Sequence, residues 1–331
     1  MDTNNDFSYI IKHTPDVDLN YFESEGFVFQ ALHDPKLRDA IVIHNPQDSL
    51  CFSPRFKHGT KTLDECIKFI NDNSLEKAII VGNDISFITR CPSLKHLAIH
   101  PSLFCENGFD FSPLYKMNEI NSLRCVTKYG EHDKFQSEVD YSKIKGLKQL
   151  YISGKGHLNY HDIDTLEELD ISNVDISNLE CFNLPNLKSL RVVQCKCKSL
   201  SGIEKMNHLQ RIELCYLHSL SDISALKSLT SIRYLRIKAC SKIKNLDVLS
   251  NLTKIEFLFL SGKNEIPNLA FLSNIDSLKH FSFDINVLDG NLDWCKTIKN
   301  VVLLHKKRHY NLSDKSLPKD KSVRPLDFVL N

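Results

Sequence analysis

The chain has 331 residues, 42% of them apolar, and its 42 Lys and Arg balance 41 Asp and Glu to a formal charge of +1. That apolar share excludes a disordered chain. The charge balance offers no general attraction to nucleic acid or anionic lipid, so neither is expected as a partner.

Eleven cysteines lie scattered from Cys51 to Cys295, too sparsely and in too long a chain for a disulfide-stapled secreted scaffold. The first residues, MDTNNDFSYIIKHTPD, lack the basic flank and apolar stretch of a signal peptide. No run approaches the roughly 18 apolar residues of a membrane span. The expected setting is reducing and cytoplasmic, with no membrane partner.

Residues 1–74 carry no clear repeat. They contain strand-like runs at Phe7–Ile11, Phe27–Leu32 and Ala40–Ile43 and a helix-like stretch at Leu63–Ile70. The segment LRDAIVI has some flavour of the phrase described next, which favours reading 1–74 as an N-terminal capping region. The alternative is a separate functional domain.

From residue 75 one phrase recurs: apolar, two variable residues, apolar, one variable, apolar. It starts at Leu94, Leu123, Leu147, Leu166, Leu187, Leu209, Ile232, Ile255, Leu278 and Val301, with steps of 29, 24, 19, 21, 22, 23, 23, 23 and 23; a weaker copy starts at Leu75. The copies LRCVTK and VVLLHK end in Lys where the others end in an apolar residue. Apolar residues two apart in a short phrase read as a strand with one face inward. A lone strand of this length is unstable, but stacked copies bury a continuous apolar row.

This pattern resembles the leucine-rich-repeat family, whose period is about 20–29 residues, over some 230 residues. The second halves of the units fit as well: Leu217, Leu220, Ile223, Leu226 and Leu229 follow one phrase at steps of about three, as in short bacterial-type repeats. The resemblance implies an α/β solenoid with a curved parallel sheet on its concave face and turns and short helices on its convex face. Residues 75–305 would hold about ten to eleven repeats, and 306–331 would form a C-terminal cap or tail whose Leu326, Phe328, Val329 and Leu330 could dock over the last strand. The family often carries Asn at the ninth position, bonding the turn backbone. Here the ninth residues are Val174, Cys195, Leu217, Cys240 and Lys263, so no such ladder is expected. The 29-residue step holds ENGFDFSPLYKMNEI, expected as a bulge on the convex side or rim.

Signatures of catalysis do not emerge. The sequence lacks a G-x-S-x-G elbow, a P-loop, an H-E-x-x-H and paired C-x-x-C motifs. Cys195 and Cys197, with Cys181 and Cys215 a repeat away, read as small buried hydrophobes in preference to a zinc site. His157 and His161, beside Asp162, read as a polar turn between strands. No cofactor and no metal are expected.

The second, third and fifth residues of each phrase point away from the core. This puts Glu168 and Asp170 beside Arg191, then Arg211 and Glu213, then Arg233, Tyr234 and Arg236, then Phe257 and Phe259, then His280. The acidic strand beside basic ones suggests charge segregation, and Tyr234, Phe257 and Phe259 suggest an exposed aromatic cluster of the kind found at interface hot spots. The expected function is non-enzymatic binding of another protein on the concave face. Small repeat proteins of this look also resemble bacterial immunity proteins, which neutralise a toxin by holding it; that resemblance implies a toxin as partner. The alternative is an enzyme or effector with a small catalytic N-terminal region and a repeat domain that recognises substrate. A nucleic-acid partner fits poorly, since Glu167, Glu168, Asp170 and Glu213 would repel phosphate.

Overall fold

A strand of five residues cannot pair its own backbone groups or hide its apolar face, so each repeat depends on its neighbours. In the computed structural model, residues 21–30, 37–44, 59–101, 108–126 and 137–323 are described. The chain divides into two compact units, Met1–Tyr160 and His161–Asn331.

In the first unit, β1 (Tyr21–Ser24) and β2 (Phe27–Gln30) form an antiparallel hairpin. Its turn, Glu25–Gly26, has both residues at positive φ (52° and 85°), the two-residue arrangement that suits the twist of a hairpin. β3 (Ile41–His44) runs antiparallel to β2 and parallel to β4 (Lys77–Gly82), so the sheet changes direction here. β5 (His96–Pro101), β6 (Ser122–Val126) and β8 (Gln149–Ser153) follow in parallel, and β7 (Val139–Asp140) pairs with β9 (His157–Leu158) beside them. Helix α1 (Leu63–Asp72) starts at a capping box: the Thr62 hydroxyl accepts from the Glu65 amide while the Glu65 carboxylate accepts from the Thr62 amide, satisfying two helix-end donors reciprocally. It buries Cys66, Ile67 and Ile70, and Phe69 stacks on Phe27 at 4.2 Å. The strand-like run Phe7–Ile11 lies outside the described residues.

In the second unit every main strand is parallel to the next. The order is β10 (Glu168–Ser172), β11 (Ser189–Val193), β12 (Arg211–Cys215), β13 (Tyr234–Lys238), β14 (Phe257–Ser261), β16 (His280–Phe283) and β18 (Asn300–Leu303), with β15 (Glu265–Ile266) and β17 (Asn286–Val287) paired separately. The fourth residue of each phrase stacks on the fourth of the next, so Leu190, Ile212, Leu235, Leu258 and Phe281 form one buried column. Replacing any of these with Ala would cost about 2–5 kcal/mol.

This register corrects two phrase starts. Leu123 pairs with Leu97 and Leu150, both fourth residues, so that repeat begins at Ile120. Val301 pairs with Phe281, so the last begins at Ile298. Both new starts are buried, and the terminal Lys anomalies vanish with the three-residue shift. The physical reason is that Asn121 and Asn300, polar where a phrase was sought, precede the strands' inward residues. In the described part of the aromatic insertion Phe109, Phe111 and Leu114 are buried, with Leu114 in a 3-10 turn at Ser112–Lys116.

From β10 to β14 the chain leaves each strand by a left-handed residue at the eighth position. Asn173, Gln194, Tyr216, Ala239 and Gly262 all have positive φ, at 54°, 53°, 58°, 55° and 138°. In the first four the amide donates to the following strand, as from Ala239 to the Ser261 carbonyl at 2.7 Å. The ladder residue comes next. The Cys195 thiol donates to the Val193 carbonyl, and the Cys240 thiol to the Leu214 and Lys238 carbonyls. Burial pushes both thiols up to about 11, which keeps them protonated donors. Lys263 is exposed, and Asn264 takes its place one residue later: its buried amide donates to the Cys240 and Ile243 carbonyls at 2.8 and 3.0 Å. The ladder Asn is thus present but displaced by one residue after Gly262, where a Cβ would meet the Ala239 backbone at 3.1 Å.

The last strand is covered along its edge. The Val301 amide donates to the Pro318 carbonyl, the Asp320 amide to the Lys299 carbonyl and the Leu303 amide to the Asp314 carboxylate. These bonds satisfy groups that would otherwise invite another chain to pair. Leu326, Phe328, Val329 and Leu330 lie outside the described residues.

Two substitutions test the turn. Asn264→Ala strands two buried carbonyls and should destabilise by about 1–3 kcal/mol. Ala239→Gly relieves a left-handed alanine, which costs roughly 1–2 kcal/mol, and should raise the urea midpoint. Equal midpoints for both variants and the parent would contradict this turn geometry.

Candidate functional site

The parallel ladder turns the third, fifth and seventh residues of each phrase to the face away from the leucine columns, with the second residue beside them at the strand's start. Each such row runs across neighbouring strands about 4.8 Å apart. Side chains one strand apart therefore touch laterally, and the sequence order of the repeats sets who meets whom.

The charged rows pair internally. Lys188 meets Glu167 at 3.1 Å, and Arg191 meets Asp170 at 2.7 Å and Glu213 at 3.5 Å. Arg211, on the same strand as Glu213, takes the other Glu213 oxygen. Glu256 is bridged by Arg233 at 2.7 Å and Lys279 at 2.5 Å; partial burial opposes its ionisation, yet the hydrogen bonds from Lys279 and Arg233 hold the carboxyl below its ordinary value. The expected segregation of acid from base is thus corrected: these carboxylates are each paired with a cation of an adjacent repeat, so acids and bases are interleaved across the strands. Glu168 is half-buried on β10, in register with Ser189.

Arg236 lacks such a partner. It lies between Glu213 and Phe259 in the fifth-residue row. Both Glu213 oxygens are already held, by Arg211 and Arg191. Arg236 is half-buried and makes no ion pair or side-chain hydrogen bond with any described residue.

The aromatic row differs from an exposed cluster. Tyr234 and Phe257 are buried, at 5% and 7% exposure, while Phe259 is half-buried. The Arg211 guanidinium lies 4.3 Å from the Tyr234 ring centre, a cation–π contact. Tyr234 then meets Phe259 at 5.2 Å and Phe257 at 6.4 Å, and His280 meets Phe259 at 5.1 Å and Phe257 at 6.4 Å. Rings at adjacent third positions cover one another's faces, which the alternation of a single phrase does not reveal. Phe259, one step along its strand, is the ring left on top.

His280 closes this row. It is buried beside Asn300, whose amide donates to His280 Nδ1 at 3.2 Å and to the Val323 carbonyl at 3.2 Å. Burial, with Lys319 nearby, depresses its pKa to about 4. Elsewhere His157, in the first unit, is occupied by Tyr141 and the Ser153 carbonyl. Among the described residues no three His, Cys, Asp or Glu side chains gather as metal ligands. No helix among them is long and apolar enough to cross a membrane.

The structure brings together Asp170, Arg191, Arg211 and Glu213 as one charge chain, and Tyr234, Phe257, Phe259 and His280 as one ring cluster, with Arg236 between them. Sequence reasoning missed the seventh residues, because the phrase was read as six residues long while β13 and β14 run one further. Lys238 stands in that row, 5.2 Å from the Tyr216 ring, and so does Asp284, which accepts from the Gly262 amide at 2.6 Å and lies 3.7 Å from His305. The exposed run His305–His309 was legible as HKKRH and was passed over.

One strand per repeat, a buried leucine column and a laddered turn make this fold a leucine-rich-repeat solenoid. No family model matches the chain, and no curated protein matches it. Solved structures do resemble it. An internalin from Listeria monocytogenes is 18% identical, with 71% of this chain and 69% of that one covered and a TM-score of 0.46. A leucine-rich-repeat protein of Leptospira interrogans is 14% identical, with 79% and 62% covered and a TM-score of 0.42. TLR13 in complex with a single-stranded RNA is 16% identical, with 69% and 34% covered and a TM-score of 0.47. The assignment of the fold rests on the strand register above.

The histidine sets a pH dependence. Unfolded, His280 takes up a proton near pH 6.5; folded, it resists until about pH 4. Its contribution is therefore full above pH 6.5 and lost as the pH falls through that window to 4. In urea titrations the parent should lose more stability between pH 7 and 4.5 than His280→Gln. Identical losses would place the acid sensitivity elsewhere.

Proposed function

We propose that this chain is a non-enzymatic binding module that holds another protein on the open face of β12–β16. The observation that carries the reading is the lone Arg236 beside Phe259, ringed by Tyr234, Phe257 and His280. Arg and aromatic residues supply most interface hot spots, and a half-buried ring on a supported platform loses little entropy on binding. The platform is rigid, since its neighbours are tied by ion pairs and ring contacts. The paired residues Glu168, Asp170, Arg191, Arg211, Glu213 and Arg233 act as scaffold and rim. Residues 1–74 and 306–331 are caps in this reading: the β1–β2–β3 hairpins and α1 begin the first unit's strand order, and the 314–323 segment runs along the last strand of the second unit.

The more specific form is an immunity protein whose partner is a toxin. It draws on the resemblance of small repeat proteins to such inhibitors. It is tested by co-producing the chain with the product of its neighbouring gene: rescued growth supports it, and unrelieved toxicity removes it.

The general reading is tested on the partner captured from the native cell. Phe259→Ala should weaken binding more than tenfold, about 1.4 kcal/mol, while the melting temperature stays within a few degrees. Undiminished affinity would rule out this face.

A further inference from the structure

The charges on the second unit's open face are unequal once the internal pairs are cancelled. On β12, β13, β14, β16 and β18 and the residues that flank them directly, the carboxylates are Glu213, Glu256 and Asp284. Glu213 is held by Arg211 and Arg191, and Glu256 by Arg233 and Lys279. Asp284 accepts from the Gly262 amide and the Ser261 hydroxyl and faces His305. Glu213 and Glu256 are thus neutralised, and Asp284 has both oxygens taken by hydrogen bonds. Arg236 and Lys238 remain on β13 with no carboxylate of their own among the described residues. At the far edge β18 runs into Lys306, Lys307 and Arg308, all fully on the surface and without a described acidic partner. From β13 to β18 is three strand spacings, roughly 14 Å. From 299 to 321 the sequence holds seven Lys and Arg against two Asp, and one of those, Asp314, is bonded to Lys319. A chain with a net charge of only +1 thus concentrates positive charge around this aromatic platform.

We propose that the surface docked on this platform is an acidic protein segment, whose carboxylates meet Arg236 and the Lys238 and Lys306–Arg308 rim while an apolar side chain rests on Phe259. This rests on the open-face reading above and names the partner's chemistry. Guanidinium at a half-buried position favours a planar, bidentate carboxylate. The opposite partner, a basic surface, would meet only carboxylates that are already taken. A nucleic acid would share the attraction to the cations, but Tyr234 and Phe257 have their faces covered by neighbouring rings, which leaves Phe259 alone where single strands use a series of stacking rings.

The test uses the full chain and three fluorescent probes at 50 mM NaCl: an octapeptide of Glu with one central Phe and one Leu, the same peptide with Lys for Glu, and a twenty-residue oligo-dT. The acidic peptide should bind at least tenfold tighter than the basic one and lose at least tenfold by 300 mM NaCl. Arg236→Glu should weaken it at least fivefold, whereas Lys227→Glu, the same charge change on an exposed turn behind the sheet, should leave it within twofold. Tighter binding of oligo-dT, no preference for the acidic peptide, or equal losses in the two variants would overturn the proposal. With a captured partner the two claims separate. Loss of binding in Phe259→Ala with no response to salt or to Arg236→Glu keeps the open face and rejects the acidic segment. No loss in Phe259→Ala rejects the face itself.

Discussion

The structure depends on one constraint: no repeat can bury its own leucines or satisfy its own backbone, so the strand of each repeat must be laid parallel and in register on the next. The buried column from Leu190 to Phe281 and the backbone bonds beside it are two aspects of that single arrangement. Everything on the opposite face is a by-product of the same register. Arg191 meets Asp170, and Phe257 meets Tyr234, because their repeats are laid side by side with third on third and fifth on fifth. A one-residue slip would exchange the two faces.

Much of this was legible because apolar spacing is a direct consequence of burial. The equal steps from Leu209 to Leu278 gave strand positions that the register bears out. Where the account failed, local sequence and register disagreed. At Ile120 and Ile298 the phrase is read three residues late, since Leu123 with Val126, and Val301 with Leu304, repeat the spacing of its first and fourth residues. The misplaced Lys at the end of both copies was the available signal. The ladder amide at Asn264 was hidden by a one-residue shift at a glycine turn, and a fixed count to the ninth position pointed at Lys263 instead.

The open face was less legible, and for a different reason. A phrase tells which side a residue faces but not what lies beside it, because its neighbours come from repeats about 23 residues away. Read singly, Tyr234 and Phe257 looked exposed and Glu213 looked available. Laid side by side, the rings cover each other and the carboxylates are consumed. What survives is smaller and sharper than the sequence suggested: Phe259 and Arg236, supported from both sides. The ion pairs around them, partly exposed, contribute little each to stability, and their larger consequence is to hold a flat, rigid rim and to leave Arg236 without a counter-charge among the described residues.

The most direct measurement of the central claim is amide hydrogen exchange on the chain with and without its captured partner. The account predicts slowed exchange concentrated at the ends and edges of β13, β14 and β16 and in residues 304–309, with the 3-10 turns behind the sheet, such as Ser224–Ser228, unchanged. Protection confined to those turns, or to the β1–β2 hairpin, with the face of β13–β16 unaltered, would contradict it.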